Sequence, residues 1–167
     1  NLAYLADEEA GLRILDISDL THPAEVSFFN TPDSAKDVKL AGSYAYIAGG
    51  TSGLRVVDIS NSANPAEVGF YDTPGKAESL VVLGNYAYIA DNESGLRVLD
   101  VSNPARPIEV GFYDTPGQAL DVVVEGNYAY IADWDGLLIV DISNPMEVAD
   151  VGFYPMTATK VAVVGNT

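Results

Sequence analysis

The stretch Gly84-Asn85-Tyr86-Ala87-Tyr88-Ile89-Ala90-Asp91 decides the fold, because close copies of it occur at a fixed spacing along the chain. Its Tyr-Ala-Tyr centre recurs at 44–46 and 128–130, and Leu2-Ala3-Tyr4 is a looser copy; successive copies lie 42 positions apart. A fixed period of this length is the signature of a repeat architecture. Four repeats account for the chain, at about 1–42, 43–84, 85–126 and 127–167.

Within one repeat, short runs rich in Val, Ile, Tyr and Phe are separated by Gly, Pro, Asn and Ser, which indicates strands joined by tight turns. Gly84-Asn85 is a two-residue hairpin signal, so the strands on either side of it are predicted to be antiparallel. In the third repeat the sequence predicts four strands, which we name A to D, at 79–83, 86–90, 96–102 and 109–115.

The strands also indicate how the repeats pack. The run 121–124 has no polar alternation, so both faces of this strand must be covered. Four-stranded antiparallel sheets packed between like sheets are the blades of a β-propeller, and we therefore predict an all-β propeller domain over 1–167.

The first blade has only strands B, C and D, whereas residues 160–164 are predicted to form a strand A followed by a turn at Gly165-Asn166. The repeats are thus circularly permuted relative to the blades. We expect residues 160–164 to pair with the N-terminal strands B, C and D and to close a four-bladed ring. Two alternatives stay open: two copies forming an eight-bladed ring, and a piece of a longer propeller.

The motif at 84–91, followed by Gly-Leu-Arg, an apolar pair and Asp-Val-Ser-Asn at 95–103, resembles the LVIVD repeat. That repeat is named for a stretch matching 54–58, 96–100 and 137–141. The resemblance implies a β-propeller, usually of bacterial or archaeal proteins at the cell surface or outside the cell, with no activity common to the family. The last repeat departs from the pattern by two short deletions and by Pro155-Met156-Thr157 in place of Asp-Thr-Pro-Gly.

Composition excludes several classes of function. The chain has 24 acidic and 8 basic residues, a net charge of -16, so a nucleic-acid surface is not expected. Without cysteine it has no disulfide, thiolate metal site or cysteine nucleophile. The apolar runs are too short for a membrane-spanning helix, so we expect no membrane insertion by this segment. The chain opens at Asn1 inside a strand pattern, and we expect it to be a processed or excerpted piece.

The first candidate site lies where strand A begins, at the predicted mouth of the central channel. Two acids, a hydroxyl and a base at this position could converge on a small polar ligand or a hard cation. The alternative is that the base neutralises the acids and water fills the channel. Calcium is the one cofactor we consider, although no spacing matches a calcium loop. We name these four residues the mouth row: Asp37, Ser79, Asp121 and Lys160.

The second candidate site is an acidic face formed by the B to C turns and the D to A junctions. Its predicted ligand-binding residues are Asp91, Asp133, Trp134 and Asp135. Trp134 is the only tryptophan, and an exposed ring there could stack on a sugar or anchor a protein. The alternative is that it folds back over a neighbouring blade.

Enzyme chemistry finds little support in the sequence. The only histidine, His22, lies in a variable turn before proline, and Gly49-Gly50-Thr51-Ser52-Gly53 lacks the strand-to-helix setting of a hydrolase elbow. We therefore predict a noncatalytic, extracellular or cell-surface platform that binds a protein or polysaccharide through its acidic face. Two alternatives remain: a hydrolase or lyase acting on a carbohydrate or organic acid through Asp37 and Asp121, and a structural segment of a larger surface assembly or homodimer.

Overall fold

A computed structural model describes residues 1–165, which form four antiparallel sheets. The first sheet has three strands: β1 (Leu2–Ala6), β2 (Leu12–Asp16) and β3 (Ala24–Phe29). The second has four: β4 (Asp37–Ala41), β5 (Tyr44–Ala48), β6 (Leu54–Asp58) and β7 (Ala66–Tyr71). The third has β8 (Ser79–Leu83), β9 (Tyr86–Ala90), β10 (Leu96–Asp100) and β11 (Ile108–Tyr113). The fourth has β12 (Ala119–Glu125), β13 (Tyr128–Asp133), β14 (Gly136–Asp141) and β15 (Ala149–Pro155).

Each sheet is a run of hairpins in chain order, as the turn signals predict. In the third sheet Leu83 pairs with Tyr86 across the two-residue turn, and Leu96 pairs with Ala90. A β-bulge interrupts the pairing of the last two strands in all four sheets. The all-β prediction of four-stranded antiparallel blades is confirmed for the last three sheets. No helix able to cross a membrane occurs among residues 1–165.

Successive sheets pack face to face through apolar cores. Leu12 and Ile14 of the first sheet meet Ile47 of the second, and the same arrangement recurs at the next two junctions. The side chains in these cores are almost entirely buried. At roughly 25 cal/mol per Å² of apolar surface removed from water, such cores supply the main force that holds the sheets together. The sheets are therefore propeller blades.

The pairing predicted between residues 160–164 and the first sheet is not formed. β1 pairs only with β2, and residues 156–165 contain no strand. Asn166, the second residue of the predicted turn, lies outside the described residues.

The chain after β15 instead takes the path by which the inner strand of the third sheet begins, but the first sheet does not pair with it. The backbone N–H of Val161 donates to Asp121 Oδ2 at 3.0 Å, as that of Leu80 donates to Asp37 Oδ2 at 3.1 Å. The amide of Ala158 donates to the Asp133 carbonyl at 3.4 Å, which extends the same path. Residues 158–161 thus lie where a further sheet would begin. The described residues form an arc of four sheets whose first and last members do not share a core.

Candidate functional site

The structure brings the mouth row together. The inner strands β4, β8 and β12 lie side by side, and equivalent residues of each repeat fall next to each other at their starts. Ser79 Oγ lies 2.8 Å from Asp121 Oδ1 and 3.2 Å from Asp37 Oδ2. A hydroxyl has one proton, so Ser79 donates to one carboxylate at a time and links the two.

Lysines balance both carboxylates of the mouth row. Lys39 Nζ lies 2.7 Å from Asp37 Oδ1 and 2.8 Å from Oδ2, and Lys160 Nζ lies 3.3 Å from Asp121 Oδ1. Each of the four carboxylate oxygens accepts at least one hydrogen bond from a side chain or from the backbone of Val38, Leu80 or Val161. The row therefore acts as a clasp between successive inner strands, and Lys160 does pair with an aspartate as the alternative interpretation requires.

The acids of this region do not assemble a recognisable metal centre. Residues 1–165 contain no group of three or more His, Asp or Glu side chains placed to hold a metal ion. The two acids of the mouth row are separated by Ser79, and both are already engaged by ammonium groups.

Asp91 and Asp133, predicted to face a ligand, are fully buried. Asp91 Oδ1 accepts from Thr73 Oγ1 at 2.5 Å and its Oδ2 accepts from the Gly75 amide at 2.8 Å. Burial raises the pKa of Asp91, and these two hydrogen bonds oppose the rise. Asp91 therefore fastens the junction between the second and third sheets.

Asp133 fastens the corresponding junction between the third and fourth sheets. It accepts from the Gly117 amide at 3.2 Å and from the Asp135 amide at 2.9 Å. The Thr115 hydroxyl, which corresponds to Thr73, is buried without a hydrogen-bond partner. The turn after Asp133 is one residue shorter, and here the Asp135 amide donates to the oxygen that corresponds to the acceptor of Thr73. Asp91 and Asp133 are therefore not part of an exposed binding surface.

Trp134 and Asp135, in contrast, are exposed. The Trp134 side chain is 51% exposed, while its backbone N–H donates to the Gln118 carbonyl at 2.9 Å. Gln118 Nε2 in turn lies 3.4 Å from Glu93 Oε1 of the neighbouring sheet. A fixed backbone thus carries an exposed indole, and the adjacent Asp135 and the Gln118 partner Glu93 are also exposed. We name Glu93, Gln118, Trp134 and Asp135 the tryptophan corner.

Arginines at one repeat position form ion pairs with carboxylates. Arg55 lies 2.8 Å from Asp72, and Arg97 lies 3.2 Å from Asp114. Sequence reasoning missed that each arginine also stacks on a phenylalanine. The guanidinium carbons lie 4.6 to 4.9 Å from the ring centres of Phe28, Phe70 and Phe112. The strand register could have shown this, since each arginine is paired with the phenylalanine directly opposite.

The repeated aspartates at the end of the third strand of each sheet accept backbone hydrogen bonds at the following turn. Each carboxylate accepts the amide of the serine two residues later at 2.8 Å. Hydrogen bonds from these serines hold the pKa of each carboxyl below its usual value. The four residues are Asp16, Asp58, Asp100 and Asp141, and their role is structural.

Comparison with known proteins bears on the repeat and on the fold. No curated protein matches the chain. Among solved structures, the computationally designed Ika8 protein is similar to it, with a TM-score of 0.75 and 12% sequence identity. That match covers 99% of this chain and 50% of the designed chain, so this chain spans half its length. The LVIVD repeat model matches residues 1–31, 32–73, 74–115 and 116–154, and the chain therefore belongs to the LVIVD-repeat family.

Proposed function

We propose that this chain is a noncatalytic binding platform that works outside the cell or at the cell surface, and that the tryptophan corner contacts its partner. The partner class is a protein or a polysaccharide. The observation that carries the proposal is the half-exposed Trp134 indole on a backbone fixed by Gln118. An aromatic side chain has few rotatable bonds and loses little conformational entropy when it is covered, which favours its use as an anchor.

The mouth row supports a noncatalytic function. A general acid or base needs a carboxyl that can reach a substrate proton. Asp37 and Asp121 are instead engaged by Lys39, Lys160 and Ser79, and Asp121 is buried. These contacts explain Asp37 and Asp121 as residues that link neighbouring blades.

The single tryptophan provides the assay. Its fluorescence would be recorded while polysaccharides of acidic, neutral and amino-sugar type, and a panel of basic proteins, are titrated into the chain. We expect a saturable change with at least one class, and we expect Trp134→Ala to weaken the same binding about 10-fold or more by calorimetry.

Met146→Ala is the matched control, because Met146 is also an exposed large apolar side chain but lies in a C to D turn at the opposite end of the sheets. Binding that survives Trp134→Ala and is lost in Met146→Ala would contradict the proposal. Turnover of a glycan or organic acid that disappears in Asp121→Asn would instead favour the enzyme alternative.

A further inference from the structure

The two ends of the arc each leave one half of an interblade core uncovered. We name the N-terminal half, Ala3, Leu5, Leu15 and Ile17, the first end face, and the C-terminal half, Tyr130, Leu137 and Ile139, the last end face. We propose that these faces are complementary and that two copies of this chain join head to tail into one closed ring of eight sheets.

The first end face has the composition of a core. Leu5 occupies the repeat position of Ile47, Ile89 and Ile131, which are fully buried, yet Leu5 is 43% exposed. Leu15 and Leu5 line a groove of about 420 Å³ that also includes Arg13. At the inner junctions the corresponding side chains are covered by the preceding sheet. The first sheet therefore presents a surface shaped to receive another sheet of the same kind.

The last end face is the other half of the same kind of core. Tyr130 corresponds to Tyr46 and Tyr88, which are 4% and 3% exposed, but Tyr130 itself is only partly covered. Leu137 and Ile139 correspond to Leu96 and Val98, which are completely buried against the fourth sheet. Faces of these two kinds already pack against each other at the three junctions within the chain. The fourth sheet of one copy therefore fits against the first sheet of the other copy in the same way.

The backbone supplies a second, independent argument. The first sheet has three strands and lacks an inner one, so the edge of β1 that faces away from β2 has no partner among the described residues. Residues 160–161 are already fixed at the place where an inner strand starts, through Asp121. The repeat register pairs Asp37 with Ala48 and Ala41 with Tyr44. By that register, Lys160 of one copy faces Ala6 of the other and Val164 faces Leu2, and residues 160–164 become the missing strand.

The copy number follows from the geometry. Joining unlike ends is a heterologous contact, which gives a ring if the rotation closes and a filament if it does not. Two copies give eight sheets, which lies within the usual range of four to eight blades, whereas three copies exceed it. The arc also fits half of the longer designed chain with a TM-score of 0.75, so its curvature suits a body of twice this length.

Solution mass tests the proposal on the 167-residue chain. In about 0.15 M salt, which screens repulsion between two acidic chains, light scattering after gel filtration is expected to give twice the chain mass of 17.7 kDa. A monomer over about a 100-fold range of protein concentration, or a series of larger assemblies, would overturn closure by two copies.

Variants at the two ends distinguish head-to-tail joining from other dimers. Val161 falls on the repeat position of Leu80 and Val122, which are buried, so Val161→Asp is expected to give a folded monomer. Val164→Asp is the matched control: Val164 is 86% exposed, and the fourth sheet carries Glu125 at the equivalent position, so the dimer is expected to persist. Circular dichroism checks that both variants keep the strand content of the native chain.

Leu5→Asp is likewise expected to be monomeric. A mixture of Leu5→Asp with Val161→Asp leaves one native junction, and we expect it to regain a dimer that neither variant forms alone. In a symmetric dimer the interface would be the same end face of both copies, so only the variant changed at that face would lose association. That result, or a mixture that stays monomeric, would overturn the head-to-tail arrangement.

Discussion

Replacing Asp91 with asparagine tests whether buried turn carboxylates fasten one sheet to the next. Asp91 is fully buried, and its two oxygens accept from the Thr73 hydroxyl and the Gly75 amide. An asparagine offers one oxygen and one NH2 group, so one of these donors loses its acceptor. A buried donor left unsatisfied costs about 1–3 kcal/mol, and the relief of charge burial offsets part of it. We expect Asp91→Asn to lower the free energy of unfolding by roughly 1–2 kcal/mol at neutral pH.

Asp7→Asn is the control, because Asp7 occupies the same repeat position but its side chain is 58% exposed. Its contact with Arg13 at 3.5 Å is a surface ion pair, which is worth little. Urea unfolding followed by circular dichroism, at one fixed protein concentration, measures both variants. Equal losses in the two variants, or no loss in Asp91→Asn, would refute the reasoning.

The pH dependence gives the same prediction a second readout. Burial raises the pKa of Asp91 above its unfolded value of 3.8, so the folded chain holds this proton more tightly. The stability that follows from the raised pKa is present below pH 3.8 and is lost as pH rises through the folded pKa. The native chain should therefore gain stability relative to Asp91→Asn as pH falls from neutral toward 4. A gap between the two that narrows over this range would contradict the raised pKa.

Three further predictions address the turns and the mouth row. Gly95 has φ +72°, and a Cβ there would lie 2.3 Å from the Tyr113 carbonyl oxygen, whereas Gly84 has φ +59° and open space around it. Gly95→Ala should therefore lower the free energy of unfolding in urea by at least ~2 kcal/mol more than Gly84→Ala. Equal losses in the two variants would contradict this close approach. Ser79→Ala removes the link between two carboxylates and should lower the Tm by several degrees, about 1–2 kcal/mol, while an unchanged Tm would show that the clasp is not needed. The pKa of Asp100 is lowered by hydrogen bonds from Ser102, so its contribution to stability is present above pH 3.8 and lost as pH falls through the folded pKa. The stability that Asp100→Asn loses relative to the native chain should therefore shrink in acid, opposite to Asp91→Asn. A loss of stability that does not change with pH would contradict this role.

The repeat made most of the fold predictable. The strands predicted at 79–83 and 86–90 match β8 and β9, because a two-residue turn and apolar runs mark their ends. The third strand ends at Asp100, two residues earlier than predicted, because its carboxylate accepts the Ser102 amide and begins the turn. Ring closure was not predictable in this way. It depends on small rotations between sheets that add up around the axis, and no local pattern encodes them.

The sequence allowed the mouth row to be predicted, but it did not reveal the burial of the turn aspartate Asp91. Asp37, Ser79 and Asp121 could be placed together because a rotational repeat puts equivalent residues side by side. The burial of Asp91 could not be seen, because a carboxylate in a turn suggests exposure and its donors come from a junction 16 to 18 residues away. Only the packing of one sheet on the next brings that junction over the turn.

Nuclear Overhauser contacts between methyl groups and aromatic rings, measured in the labelled chain, test the central claim most directly. The account predicts contacts that link the first sheet to the second, the second to the third and the third to the fourth through the three cores. It also predicts none between Leu12 and Ile131, which belong to different cores. Contacts joining Leu12 to Ile131 would show a layered arrangement instead of blades in sequence, and they would contradict the account.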